Sequence, residues 1–139
     1  MMPTGVLVDT GPLVALLSRR DARHAACVEQ LREIVPPLMT CWPVITEAAW
    51  LLRREPAAVQ ELLGGFDTGL LRLGVLEKDA LPHVADFLRR YRSVGAQLAD
   101  AALVYLAERE GIETIFTLDR RDFSIYRKHD GRSFHLLPS

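Results

Sequence analysis

A chain whose first apolar run stops on a carboxylate and restarts as a helix has few folds open to it. Val6-Leu7-Val8 is a short aliphatic run without polar alternation, the pattern of a strand covered on both faces in a parallel sheet. Asp9 ends that run. Thr10 suits a helix N-cap, Pro12 a first helical position, and Leu13 to Leu17 supply the apolar body of a helix. Asp9 is therefore expected at the carboxyl end of a central strand, where open α/β sheets place their ligands. A single Asp before a helix is also an ordinary cap or turn residue, so its meaning depends on the other acids.

The remaining chain alternates in the same way. Asp21 is placed to cap a helix from Ala22 to about Ile34, ended by Pro36-Pro37. A strand follows over Leu38 to Cys41, then helices over Pro43 to Arg53 and Pro56 to Leu63. Leu70 to Leu76 reads as a strand weakened by Gly74, and Glu77 to Arg92 as a helix with Pro82 near its start or at a kink. Ala96 to Glu110 is an Ala- and Leu-rich helix ending at Gly111. Glu113 to Leu118 is a strand ending on Asp119, and Ser133 to Leu137 an edge strand after a turn near Asp130-Gly131. Strands joined by helical crossovers imply a mainly parallel central sheet with helices on both faces, a three-layer α/β/α sandwich.

The 139 residues fit one domain spanning 1–139, of ordinary globular composition at 49% hydrophobic and 25% charged. No apolar run has the length of a membrane span, and the N-terminus does not read as a secretory signal, so the expected location is cytoplasmic and away from membranes. A net charge of −1 argues against binding nucleic acid through the overall field, while leaving room for a local basic patch. Cys27 and Cys41 lack metal-ligand spacing and read as free buried thiols.

Two further acids sit on apolar ground. Glu47 lies between Val44-Ile45 and Ala48-Ala49-Trp50-Leu51-Leu52, and Asp100 between Leu98-Ala99 and Ala101-Ala102. An ionised carboxylate in such surroundings is costly without a partner, and an Arg beside each is the simplest remedy. Asp119 repeats the strand-end arrangement of Asp9. The four acids can converge if the strands are neighbours and the helices pack against that edge, and their repulsion then calls for protons or a cation. With only oxygen ligands available, that cation is a hard one, Mg²⁺ or Mn²⁺. Mg²⁺ held by a few carboxylates suits phosphoryl chemistry.

Val8-Asp9-Thr10-Gly11-Pro12-Leu13, Thr46-Glu47, Leu98-Ala99-Asp100-Ala101 and Thr117-Leu118-Asp119-Arg120-Arg121-Asp122-Phe123, in this order, resemble the PIN domain. The length and the closing Phe134-His135-Leu136-Leu137-Pro138 further resemble the VapC-type ribonuclease toxins of bacterial toxin–antitoxin pairs. The resemblance covers essentially the whole chain. It implies a Mg²⁺- or Mn²⁺-dependent endoribonuclease that hydrolyses RNA phosphodiester bonds, with Asp9, Glu47, Asp100 and Asp119 as its acid quartet. Asp9 and Asp100 would be the principal metal ligands, with Glu47 and Asp119 completing the pocket partly through water. Thr10 and Thr117 look like the hydroxyls that such sites set beside the acids. A cognate antitoxin occupying the acid groove and a homodimer paired through helices are implied in the same way.

Asp119 and Asp122 both follow the last apolar strand. Asp119 is favoured for the pocket because it ends the run directly, and Asp122-Phe123 is expected to turn the chain. Arg120 and Arg121 are either contacts to RNA phosphates or a solvated loop pair. The four histidines show no catalytic spacing, and Trp42 and Trp50 are expected in the core. Two other functions compete. One is a PIN-like binding module without catalysis. The other is a haloacid-dehalogenase-like phosphatase, which also begins on a strand-end Asp but needs a second Asp where Gly11 stands, and no suitable Lys follows.

Overall fold

Three-residue strands are held mainly by the burial of their side chains, and the sequence supplies largely apolar ones for the centre of the sheet. The structure is a computed structural model and describes residues 5–139. β1 (Val6–Val8), β2 (Leu38–Thr40) and β4 (Thr114–Phe116) are buried at all positions. β3 (Leu71–Leu73) and β5 (His135–Leu137) form the edges of a five-stranded sheet of order β3-β2-β1-β4-β5. All four pairings are parallel, with Leu7 opposite Met39 and Val8 opposite Phe116. The shared register brings the carboxyl ends of β1 and β4 side by side, so the acids that follow them are neighbours.

The crossovers are α1 (Thr10–Leu17), α2 (His24–Leu31), α3 (Trp42–Leu51), α4 (Pro56–Gly64), α5 (Leu81–Arg90), α6 (Leu98–Glu110) and the single turn α7 (Arg120–Phe123). α1 packs with α2, α3 and α4, α5 packs with α6, and α3 also meets α6. The sheet sandwiched by helices is the α/β/α arrangement expected from the strand and helix alternation. Among the described residues no helix is long and apolar enough to cross a membrane.

Local chemistry moved several boundaries. Asp9, extended at φ −87° and ψ 174°, takes the N-cap position of α1, and Thr10 is already helical. Asp21 does not cap a long second helix. Its carboxylate accepts from the Arg23 N–H in a local turn, and the helix starts at His24. The segment expected as one helix from Glu77 divides into a 3-10 turn (Lys78–Ala80) and α5, with Pro82 in the first turn of α5, where a missing N–H costs nothing. β3 ends at Leu73, and at Gly74 just beyond it a Cβ would lie 2.7 Å from the Leu106 side chain, so glycine there leaves room for α6 to approach the sheet.

Cys27 and Cys41 are free and buried, as expected. Trp42 and Trp50 are not in the core. They are 59% and 63% exposed and, with Thr46, stand four residues apart along the outer stripe of α3. The inner face of α3 is filled by Val44, Ile45 and Ala48.

Candidate active site

Each acid reaches the carboxyl edge of the sheet by a different local device. Asp9 leaves β1 at the N-cap position of α1, Glu47 stands one turn into α3, Asp100 lies in the first turn of α6, and Asp119 caps α7 after β4. Together they line one groove of about 500 Å³, with Thr10, Gly11, Leu51, Gly95, Gln97 and Leu118. Asp122 lines it as well. The sequence singled out Asp122 as a turn residue, and the turn it makes is helical, which swings its carboxylate back toward Asp119.

None of these five carboxylates is in an ion pair among the described residues. The Arg partner that would make each acid an ordinary structural residue is missing from all of them. Neutral donors hold the acids instead. The Thr117 hydroxyl, fully buried, donates to Asp9 Oδ2 at 2.8 Å and accepts from the Asp119 N–H at 3.0 Å, so one side chain sets the spacing of two acids. Asp100 Oδ2 accepts from the Tyr126 hydroxyl at 2.7 Å and from the Gln97 N–H at 3.3 Å. Asp119 Oδ1 accepts from the Asp122 N–H at 3.1 Å. Thr10 Oγ1 is buried without a hydrogen bond of full geometry, though it lies near enough to Glu47 to pull that acid's pKa down.

The electrostatic consequence is a set of reluctant acids. Burial is the largest cause for Asp9, whose pKa is pushed from 3.8 up to about 6, against the pull of the Thr10 N–H and the Thr117 hydroxyl, with the charges of Asp100 and Glu47 adding to the rise. Glu47 is raised by burial and then by Asp100. Asp100 is raised by burial and by Asp119, against the donors Tyr126 and Gln97. Asp122 is raised by partial burial and then by the charge of Asp119. Cys41, the residue before α3, is no candidate ligand, since burial pushes its thiol up to about 11.

Among the described residues no three His, Cys, Asp or Glu side chains are drawn into a ready-made ligand cage. Mutual repulsion of uncompensated carboxylates is the physical reason to expect such spreading. The donor set nevertheless fits a hard divalent ion. It is all oxygen and partly buried, none of its acids is in an ion pair among the described residues, and its buried Thr10 hydroxyl makes no hydrogen bond of full geometry. Of the two arginines, Arg120 bonds the Pro138 carbonyl, whereas Arg121 is exposed and close enough to offset the rise of Asp122.

Asp122, which the sequence left as the alternative to Asp119, lines the groove together with it, and Tyr126 is the residue that sequence reasoning did not place here. Helical reading of Arg120–Phe123 would have placed both acids. Nothing in spacing points to Tyr126, 26 residues from its partner.

Residues 6–128 match the PIN domain family model. The chain is 32% identical over 139 residues to "Ribonuclease VapC26" of Mycobacterium tuberculosis, covering 96% of this chain and all of that protein. Its fold is similar to the crystal structure of the Mycobacterium tuberculosis toxin VapC20, described as cleaving the sarcin-ricin loop (TM-score 0.77, 22% identity, 84% of this chain and 92% of that one). It is also similar to a chain of a toxin–antitoxin complex from Klebsiella pneumoniae (TM-score 0.67, 16% identity, 87% of this chain and 91% of that one). With the family model spanning the strands and acids that build the groove, this chain belongs to the PIN domain family.

Proposed function

We propose that this protein is a Mg²⁺- or Mn²⁺-dependent endoribonuclease and the toxin of a toxin–antitoxin pair. The observation that carries the reading is the groove itself: five carboxylates at the mouth of a parallel sheet, with raised pKa values on four of them and none in an ion pair among the described residues. Asp9 and Asp100 are the principal ligands in this reading, with Glu47, Asp119 and Asp122 completing the set. When bound, the ion supplies charge neutralisation at the scissile phosphate and lowers the pKa of a water. Thr117 keeps Asp9 and Asp119 in step, and the Tyr126 and Gln97 donors hold Asp100. Arg121, exposed beside Asp122, is the cation this reading assigns to a phosphate, while Arg120 is engaged with the chain's own backbone.

The partners follow from the same chemistry. An acidic groove whose carboxylates are in no ion pair among the described residues accepts an Arg from an antitoxin segment, which blocks the ion's place and inhibits. The Trp42 and Trp50 stripe supports a homodimer through α3, since large exposed aromatics are where such interfaces concentrate their energy. The Arg53 guanidinium lies over the Trp50 ring, 3.9 Å from its centroid, in a cation–π contact. Trp50→Glu is expected to convert a dimer to a folded monomer in light scattering, and a wild-type chain that is monomeric at high micromolar concentration removes the dimer.

Purified protein incubated with total cellular RNA and Mg²⁺ or Mn²⁺ is expected to cut at defined positions, read by mapping the ends, and chelator to stop it. Cleavage that persists in chelator contradicts the mechanism. No cleavage of any RNA with either ion leaves the binding module as the better description.

A further inference from the structure

We infer that Tyr126 is a positioning residue for the metal site, holding Asp100 in the orientation that offers its second oxygen to the ion. This rests on the reading of the groove as a metal site. Tyr126 is fully buried, yet its one polar atom is spent on a carboxylate of the groove, donating to Asp100 Oδ2 at 2.7 Å. The Gln97 N–H reaches the same oxygen, at 3.3 Å. Both donors fall on Oδ2, and among the described residues no protein donor meets Oδ1.

The ring that carries the hydroxyl cannot swing. It meets Phe87, Tyr91 and Phe123 edge-on, with centroids 4.9, 5.0 and 5.1 Å away. Tyr91 also accepts the N–H of Arg127, the next residue, at 3.1 Å, which pins the backbone beside it. The aromatic cluster thus ties α5, α7 and the following loop to a single point on α6. Packing alone would be served by Phe. The hydroxyl adds control of the carboxylate's rotation, against a neighbour, Asp119, whose negative charge pushes it away. Groups that orient metal ligands in this manner usually change metal affinity or activity by about 10–100-fold when removed.

The test is Mn²⁺ titration of the full chain followed by electron paramagnetic resonance, with thermal unfolding of the metal-free protein measured in parallel. Tyr126→Phe keeps the ring and removes the donor. It is expected to weaken Mn²⁺ binding by about 10–100-fold in a protein that still unfolds cooperatively, with the metal-free midpoint lowered by no more than several degrees, while Asp100→Asn sets the floor. Wild-type affinity in Tyr126→Phe overturns the inference and leaves the metal site standing. Absence of Mn²⁺ binding by the wild type overturns the metal site and this role with it. Should Tyr126→Phe fail to fold, 3-fluorotyrosine at position 126 keeps ring and donor and alters donor strength. A shifted Mn²⁺ affinity then supports the inference, and an unshifted one overturns it.

Discussion

Asp9→Asn is expected to stabilise the metal-free protein above pH 6 while abolishing RNA cleavage. The Asp9 carboxyl has a folded pKa of about 6 against an ordinary 3.8, with burial as the main cause. The folded state therefore binds this proton more tightly than the unfolded one. Below pH 3.8 both states hold it and nothing is lost. As pH rises toward 6 the unfolded chain ionises first and stability falls, and above 6 the penalty is constant. A shift of this size corresponds to about 3 kcal/mol. Asn keeps an acceptor for the Thr117 hydroxyl and removes the charge, so up to that amount returns, less what the new amide N–H groups lose where no acceptor faces them. For a chain of this size the melting temperature is expected to rise by several degrees at pH 7 and to match the wild type near pH 4.

Divalent ions should reverse the order. Mn²⁺ at about a hundred times its dissociation constant adds about 2.7 kcal/mol to a protein that binds it only when folded, and Asp9→Asn forgoes that gain. Cleavage is expected to drop by about a thousandfold or more, since the ion contributes several kcal/mol of charge stabilisation at the reacting phosphate. Differential scanning calorimetry across pH, with and without Mn²⁺, reads both halves. A metal-free Asp9→Asn that melts lower than the wild type at pH 7 contradicts the assignment of Asp9 as a buried, uncompensated acid.

Thr117→Val is expected to give the second largest effect. The hydroxyl is completely buried and serves two acids at once, donating to Asp9 and accepting from the Asp119 backbone. Val keeps the volume and loses both bonds. A hydrogen bond to a charged group contributes about 1.5–3 kcal/mol, so cleavage at neutral pH should fall by about 10–100-fold. The direction of the pH profile is more diagnostic than the loss. Thr117 lowers the Asp9 pKa, so without it Asp9 ionises only at higher pH, and the rising limb of cleavage against pH should move to alkaline values. Thr117→Ser should restore most of the wild-type profile. An unmoved limb in Thr117→Val would mean that Asp9 does not set it.

Much of this was written locally in the chain. A strand that ends on Asp9 and another that ends on Asp119 fix the sheet edge and the two acids on it, because a parallel sheet aligns its carboxyl ends. Glu47 and Asp100 were legible as acids in apolar surroundings. The rest depended on long-range packing. α3 is apolar almost all round apart from Thr46 and Glu47, so periodicity could not tell that Trp42 and Trp50 face outward and Val44 and Ile45 inward. Asp100 closes a capping box with Gln97 while it lines the groove, and the sequence shows neither that double use nor the Tyr126 hydroxyl that shares the same oxygen. Asp122 enters the groove only because Arg120–Phe123 closes as a helical turn on the Asp119 carboxylate.

Because the central claim is that acids distant in sequence serve one ion, the most direct measurement is anomalous diffraction from crystals grown with Mn²⁺. The account predicts a peak in the groove bonded to Asp9 and Asp100. Well-ordered crystals with Mn²⁺ at saturating concentration and no peak at those two carboxylates would contradict it.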